Sequence, residues 1–179
     1  MTDSEAHYRK MTETPVSRLI LNLGIPTTIS MLITSIYNMA DTYFVGTLGE
    51  SAQAATGILF IVYAFMQCLA FMLGHGAGTH VSRSLADRDA DKATMYISTS
   101  FFTGIGLGLV IGVLGLAFLR PLVHFLGSTD TIAPYAMDYG FWVFLAAPTI
   151  ICSLILNNGL RYEGKAFYAM IGLSAGGVL

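Results

Sequence analysis

The chain has 179 residues, of which 54% are hydrophobic and only 11% charged, with a formal net charge of −2. A soluble domain carries roughly 25% charged residues, so this composition excludes an ordinary water-soluble globular protein and points to an integral membrane protein. There is no basic block, which excludes nucleic acid as a partner.

Residues 1–18 mix acids with bases, and the apolar run behind them is too long for the h-region of a cleavable signal. They are expected to form a cytoplasmic tail starting at Met1 or Met11.

Five apolar segments follow, at 19–48, 54–81, 93–119, 139–160 and 167–179. The runs are continuously apolar and not alternating, which sets aside a β-barrel. The expected class is an all-α polytopic membrane protein. A hydrocarbon core of about 30 Å takes about 20 helical residues, so the first four segments can span it. The last is too short and reads as a truncated fifth helix.

The first segment holds one charged residue, Asp41. An ionised Asp at mid-bilayer costs about 2.5–3.5 kcal/mol on insertion scales, so it marks a proton- or cation-handling position facing a bundle interior. At 100° per residue, Thr27, Ser30, Thr34, Asn38 and Asp41 share an arc of about 80°. A polar stripe ending in a carboxylate fits a helix that lines a cavity; interhelical bonding accounts for the hydroxyls but not for the acid. Tyr37 and Asn38 lie within reach of Asp41 along the helix. A protonated Asp41 suits a nonpolar neighbourhood and an ionised one attracts a cation, so protonation and cargo can compete for one group. Pro26 lies about 22 Å earlier along the same helix and permits a bend there, either as a hinge or as a static kink.

The second segment carries Cys68, His75 and His80, and the fourth carries Cys152. None has metal-ligand spacing, and packing or interfacial roles are expected. The run 85–92 alternates three acids but lacks the Gly and Glu of a calcium loop, so it reads as a solvated connection. Gly104, Gly108 and Gly112 in the third segment form a stripe at four-residue spacing, which in lipid lets helix backbones approach closely. A connecting loop is expected over 120–138. The fourth segment sets Thr149, Ser153 and Asn157 at four-residue steps, with Asn158 about 100° away and Pro148 near the middle. Lining a cavity and packing against a neighbour are both open for these residues.

Arg9, Lys10, Arg18, Arg83, Arg88, Lys92, Arg161 and Lys165 fall on one side of the membrane and Arg120 alone on the other. The excess of bases places the N-terminus in the cytoplasm.

Four stretches, in order, resemble the MATE (multidrug and toxic compound extrusion) family. They are Gly24-Ile-Pro26 with Ile36-Tyr-Asn-Met-Ala-Asp-Thr-Tyr-Phe-Val-Gly46, then Gly76-Ala-Gly-Thr-His-Val-Ser-Arg83, Leu126-Gly127, and Asn157-Asn-Gly-Leu-Arg-Tyr-Glu-Gly164. Ala86-Asp87 departs from the family's usual Gly after the Ser-Arg stretch. The resemblance implies twelve helices in two six-helix lobes around a cleft, exporting cationic or amphipathic compounds in exchange for H⁺ or Na⁺. Residues 19–179 would be a partial N-terminal lobe, dependent for transport on a C-terminal half.

Asp41 matches the ion-coupling carboxylate of the DNA-damage-inducible and staphylococcal-type branch. Asn157 and Asn158 match its cavity-side polar positions. No cofactor beyond the coupling ion is implied, and the expected setting is a bacterial or archaeal cell membrane.

Three alternatives stand beside this reading. A lipid-linked oligosaccharide flippase of the same superfamily should line its cavity with Arg or Lys, and the spans have none. An intramembrane aspartyl protease needs two carboxylates in one site; Asp41 has no partner within the spans, so no enzyme is expected. The third is a non-transporting membrane protein that acts through helix association.

Overall fold

A computed structural model describes residues 13–47 and 49–178, side chains excepted over 174–178. The outer part of the tail (1–12), the last residue of the first expected segment (Leu48) and Leu179 lie outside the described residues. The six helices of the described residues are α1 (Val16–Thr47), α2 (Glu50–Ala86), α3 (Ala90–Ala117), α4 (Leu119–Phe125), α5 (Ala133–Tyr162) and α6 (Ala166–Val178). Four of them, α1, α2, α3 and α5, are long and apolar enough to cross a membrane.

Local chemistry sets the breaks. Pro15 lacks a donor but supplies the carbonyl that opens α1, accepting from Arg18 N at 2.9 Å and Leu19 N at 3.1 Å. Between α1 and α2 the chain reverses at Gly49, whose φ of 115° lies in the region that only glycine enters freely. Asp89 caps α3: its carboxylate accepts from Lys92 N at 3.0 Å and pairs with Lys92 Nζ at 2.8 Å. Those bonds from Lys92 hold the Asp89 carboxyl below the usual carboxylate range.

The core lies among α2, α3 and α5. Leu59 and Met66 of α2 meet Phe144, Ile151 and Ile155 of α5, all nearly or fully buried. Along α3 the buried residues include Gly104, Gly108, Gly112 and Gly115. A Cβ on Gly108 would stand 2.5 Å from Pro148 Cα, and one on Gly112 would stand 2.8 Å from the Phe144 carbonyl oxygen. Small residues here let the α3 and α5 backbones touch, and the stripe is a packing device. Pro148 sits inside a continuous α5, seated on the glycine face.

The expected loop over 120–138 contains a helix. Leu119, Leu122 and Val123 of α4 pack on the core, with Val123 fully buried. Seven residues form a helix because the bundle covers their apolar side, not through propensity alone. For the same reason α5 begins at Ala133, with Pro134 in its first turn and Ala133 and Ala136 buried. It starts six residues before the segment expected from 139.

α1 is the outlying element. It packs chiefly on α6 and less on α2, and Ser30 is its one buried residue. A helix that exposes Ile20, Leu21, Ile25, Met31, Leu32 and Ile36 belongs in lipid or against further protein, not in water.

Candidate functional site

The stripe on α1 runs from a packed end to an open one. Thr27 and Thr34 are half-buried, Ser30 is buried, and Asn38 and Asp41 are exposed. The three hydroxyls are spent on their own helix. Thr27 Oγ1 donates to Leu23 O at 2.8 Å, Ser30 Oγ to Pro26 O at 2.9 Å and Thr34 Oγ1 to Ser30 O at 2.9 Å. Among the described residues they bond no neighbouring helix. Back-bonding of this kind tends to bend a helix, and here it brackets Pro26, whose missing N–H leaves the Asn22 carbonyl without its helical donor. Both features fall in the same two turns.

The open end is different chemistry. Among the described residues Asp41 makes no hydrogen bond or ion pair, so neither Tyr37 nor Asn38 is bonded to it. What lies near it is a group of phenols. Tyr139 of α5 is within electrostatic reach of Asp41 and Tyr37 of α1 and of Tyr63 of α2. All three tyrosines are partly open, at 50%, 37% and 46% exposure for Tyr37, Tyr63 and Tyr139. Tyr63 and Tyr139 did not stand out in the sequence, where an aromatic in an apolar run resembles any core or lipid-facing ring. The readable signal was a phenol hydroxyl in each of two spans, which needs a polar partner when desolvated.

An open groove of about 760 Å³ runs along the C-terminal third of α1. It is lined by Asn38, Met39, Thr42, Tyr43, Gly46, Thr47 and Gln53. Asn38, Thr42 and Gly46 follow one another at four-residue steps, so the polar face of α1 drifts round the helix beyond Asn38.

The α5 candidates separate. Thr149 and Ser153 are exposed. Asn157 Nδ2 donates to Ala169 O at 2.9 Å and ties α6 to α5. Asn158 is only 4% exposed and faces α2, where a Cβ on Gly74 would stand 3.1 Å from its amide nitrogen. Asp41, Tyr37 and Tyr63 thus lie within electrostatic reach of Tyr139, while the two Asn side chains turn to neighbouring helices. His75 Nδ1 lies 3.0 Å from the Tyr162 hydroxyl, and His80 stacks on Tyr96. Among the described residues no three His, Cys, Asp or Glu side chains come together as a metal site.

The MatE family model matches residues 26–179, most of the described chain and all of the candidate site. The chain belongs to the MatE family. It is 31% identical over 176 residues to the multidrug export protein MepA of Staphylococcus aureus, covering 98% of this chain and 39% of that protein. It is 29% identical over 150 residues to an FAD transporter of Shewanella oneidensis, covering 84% of this chain and 33% of that one. A MOP superfamily transporter of Pyrococcus furiosus superposes with a TM-score of 0.89 at 28% identity, over 100% of this chain and 39% of that chain. This MatE chain thus spans about two fifths of the length of MepA and of the Pyrococcus transporter.

Proposed function

We propose that this chain forms the first-lobe portion of a secondary multidrug exporter, in which Asp41 couples the outward movement of cationic or amphipathic compounds to entry of H⁺ or Na⁺. The observation that carries the reading is the grouping of one span carboxylate with three partly open phenols contributed by three helices. Aromatic faces attract organic cations and tolerate varied shapes, while a membrane carboxylate attracts either the cation or the coupling ion. Cargo and ion then compete at Asp41, which is the requirement for exchange. From Asn38 a mainly apolar groove, with Thr42, Thr47 and Gln53 among its other polar side chains, extends along the same helix and suits an amphipathic compound. The proposed setting is a bacterial or archaeal inner membrane with the N-terminus cytoplasmic, and the proposed cleft needs a second lobe to close it.

The likeness to the Shewanella FAD transporter favours a second reading, an anionic dinucleotide cargo. Phosphates buried in a membrane cavity favour Arg or Lys partners, and residues 19–48, 54–81, 93–119 and 139–160 contain none. The cation reading is therefore preferred for this part of the protein.

The test is ethidium efflux from cells expressing the full-length gene. Efflux should need an ion gradient and should stop when the gradient is collapsed. Loss of that dependence, or competition by FAD and not by organic cations, would overturn the proposal.

A further inference from the structure

The short helix α4 divides its surface three ways, and one division has no role in the transport site. Leu119, Leu122 and Val123 turn inward onto the core. Taken at 100° per residue, Phe118, Pro121 and Phe125 then fall on one outward flank, and Arg120 and His124 fall on the other. Phe118 is 60% exposed and Phe125 86% exposed, while Arg120, Pro121 and His124 are exposed as well. A water-facing connection has no use for two open Phe rings beside a cation.

The depth of α4 follows from α3. That helix has 28 residues, about 42 Å at 1.5 Å per residue, which matches the 40–45 Å of a bilayer with its headgroups. Its first turn carries Asp91 and Lys92 and so lies in water. Its far end, where Phe118 breaks the helix and α4 begins, then reaches the opposite headgroup layer. Arg120 is also the one Lys or Arg between Lys92 and Arg161, and among the described residues it has no ion-pair partner.

We propose that α4 is an anchor in the lipid interface: Phe118, Pro121 and Phe125 enter the upper acyl chains, and Arg120 with His124 holds the phosphate of an anionic phospholipid. The apolar flank supplies two open aromatic rings for the acyl chains. The basic flank supplies a fixed charge and an imidazole donor one turn apart, complementary to a phosphodiester.

The test uses the full-length protein with every tryptophan, Trp142 included, changed to Phe and with Phe125→Trp added, giving one tryptophan, in vesicles of phosphatidylcholine and phosphatidylglycerol. Lipids brominated near the top of the acyl chain should quench that tryptophan severalfold more than aqueous iodide does. A companion protein that keeps Trp142 of α5, 67% exposed, as its one tryptophan provides the comparison. Adding Arg120→Gln and His124→Gln should abolish the enrichment of brominated phosphatidylglycerol over brominated phosphatidylcholine while leaving quenching by the latter intact. Strong iodide quenching would place the flank in water, and protection from both quenchers would place it against another protein segment; either result overturns the anchor. An unchanged lipid preference in the Gln variants would overturn the phosphate contact.

Discussion

Gly108 shows how much a single missing methyl group sets in this bundle. A Cβ there would meet the Pro148 backbone, which cannot rotate away as a flexible side chain can, whereas at Gly106 it would meet nothing within 4 Å. Gly108→Ala should therefore destabilise the α3–α5 pair by about 1–3 kcal/mol through overpacking. Gly106→Ala should be neutral or raise stability by up to about 1 kcal/mol through helix propensity. Thermal unfolding in detergent of the two variants reads the difference, and equal effects would mean that the glycine face is not a contact surface. The stripe was legible because spacing alone puts Gly104, Gly108 and Gly112 on one helix face. Asn158 was not: its contact with Gly74 depends on how α2 and α5 are rotated, which neither helix states by itself.

Among the elements, α1 is the one whose behaviour bears on the proposed transport cycle. It is continuous through Pro26, yet the Asn22 carbonyl lacks its helical donor, and Thr27 and Ser30 draw on the Leu23 and Pro26 carbonyls. Only one of its residues is buried, so few contacts hold it straight or bent. Pro26→Ala restores the amide donor and stiffens this segment. If bending at Pro26 accompanies titration of Asp41, the variant should reach the membrane at normal levels and exchange ions for cargo severalfold more slowly. Coupled transport at the unaltered rate would end the hinge proposal.

The four spanning helices could be read from sequence because each is a long, nearly charge-free run broken by turn residues. α4 could not, since a short helix punctuated by Arg120, Pro121 and His124 resembles a loop until the core that covers Val123 is present. The pairing of α1 with α6 was equally hidden, because apolar periodicity does not say which neighbour a membrane helix chooses.

At the scale of the molecule, α2, α3 and α5 form a packed centre, and α1 with α6 lies against it. The carboxylate and one phenol come from the outlying α1, and the other two phenols from α2 and α5. A displacement of α1 relative to that centre would thus change the spacing between Asp41 and Tyr63 or Tyr139 without unfolding either part. In the proposed cycle the outlying helix carries the charge and Tyr37, and the packed centre carries Tyr63 and Tyr139. The most direct measurement is gradient-driven ethidium efflux by the full-length protein with Asp41→Asn, at membrane levels matched to the unaltered protein. Efflux at the background of non-expressing cells is the predicted result. Gradient-driven efflux at the normal rate would contradict the assignment of Asp41 as the coupling group.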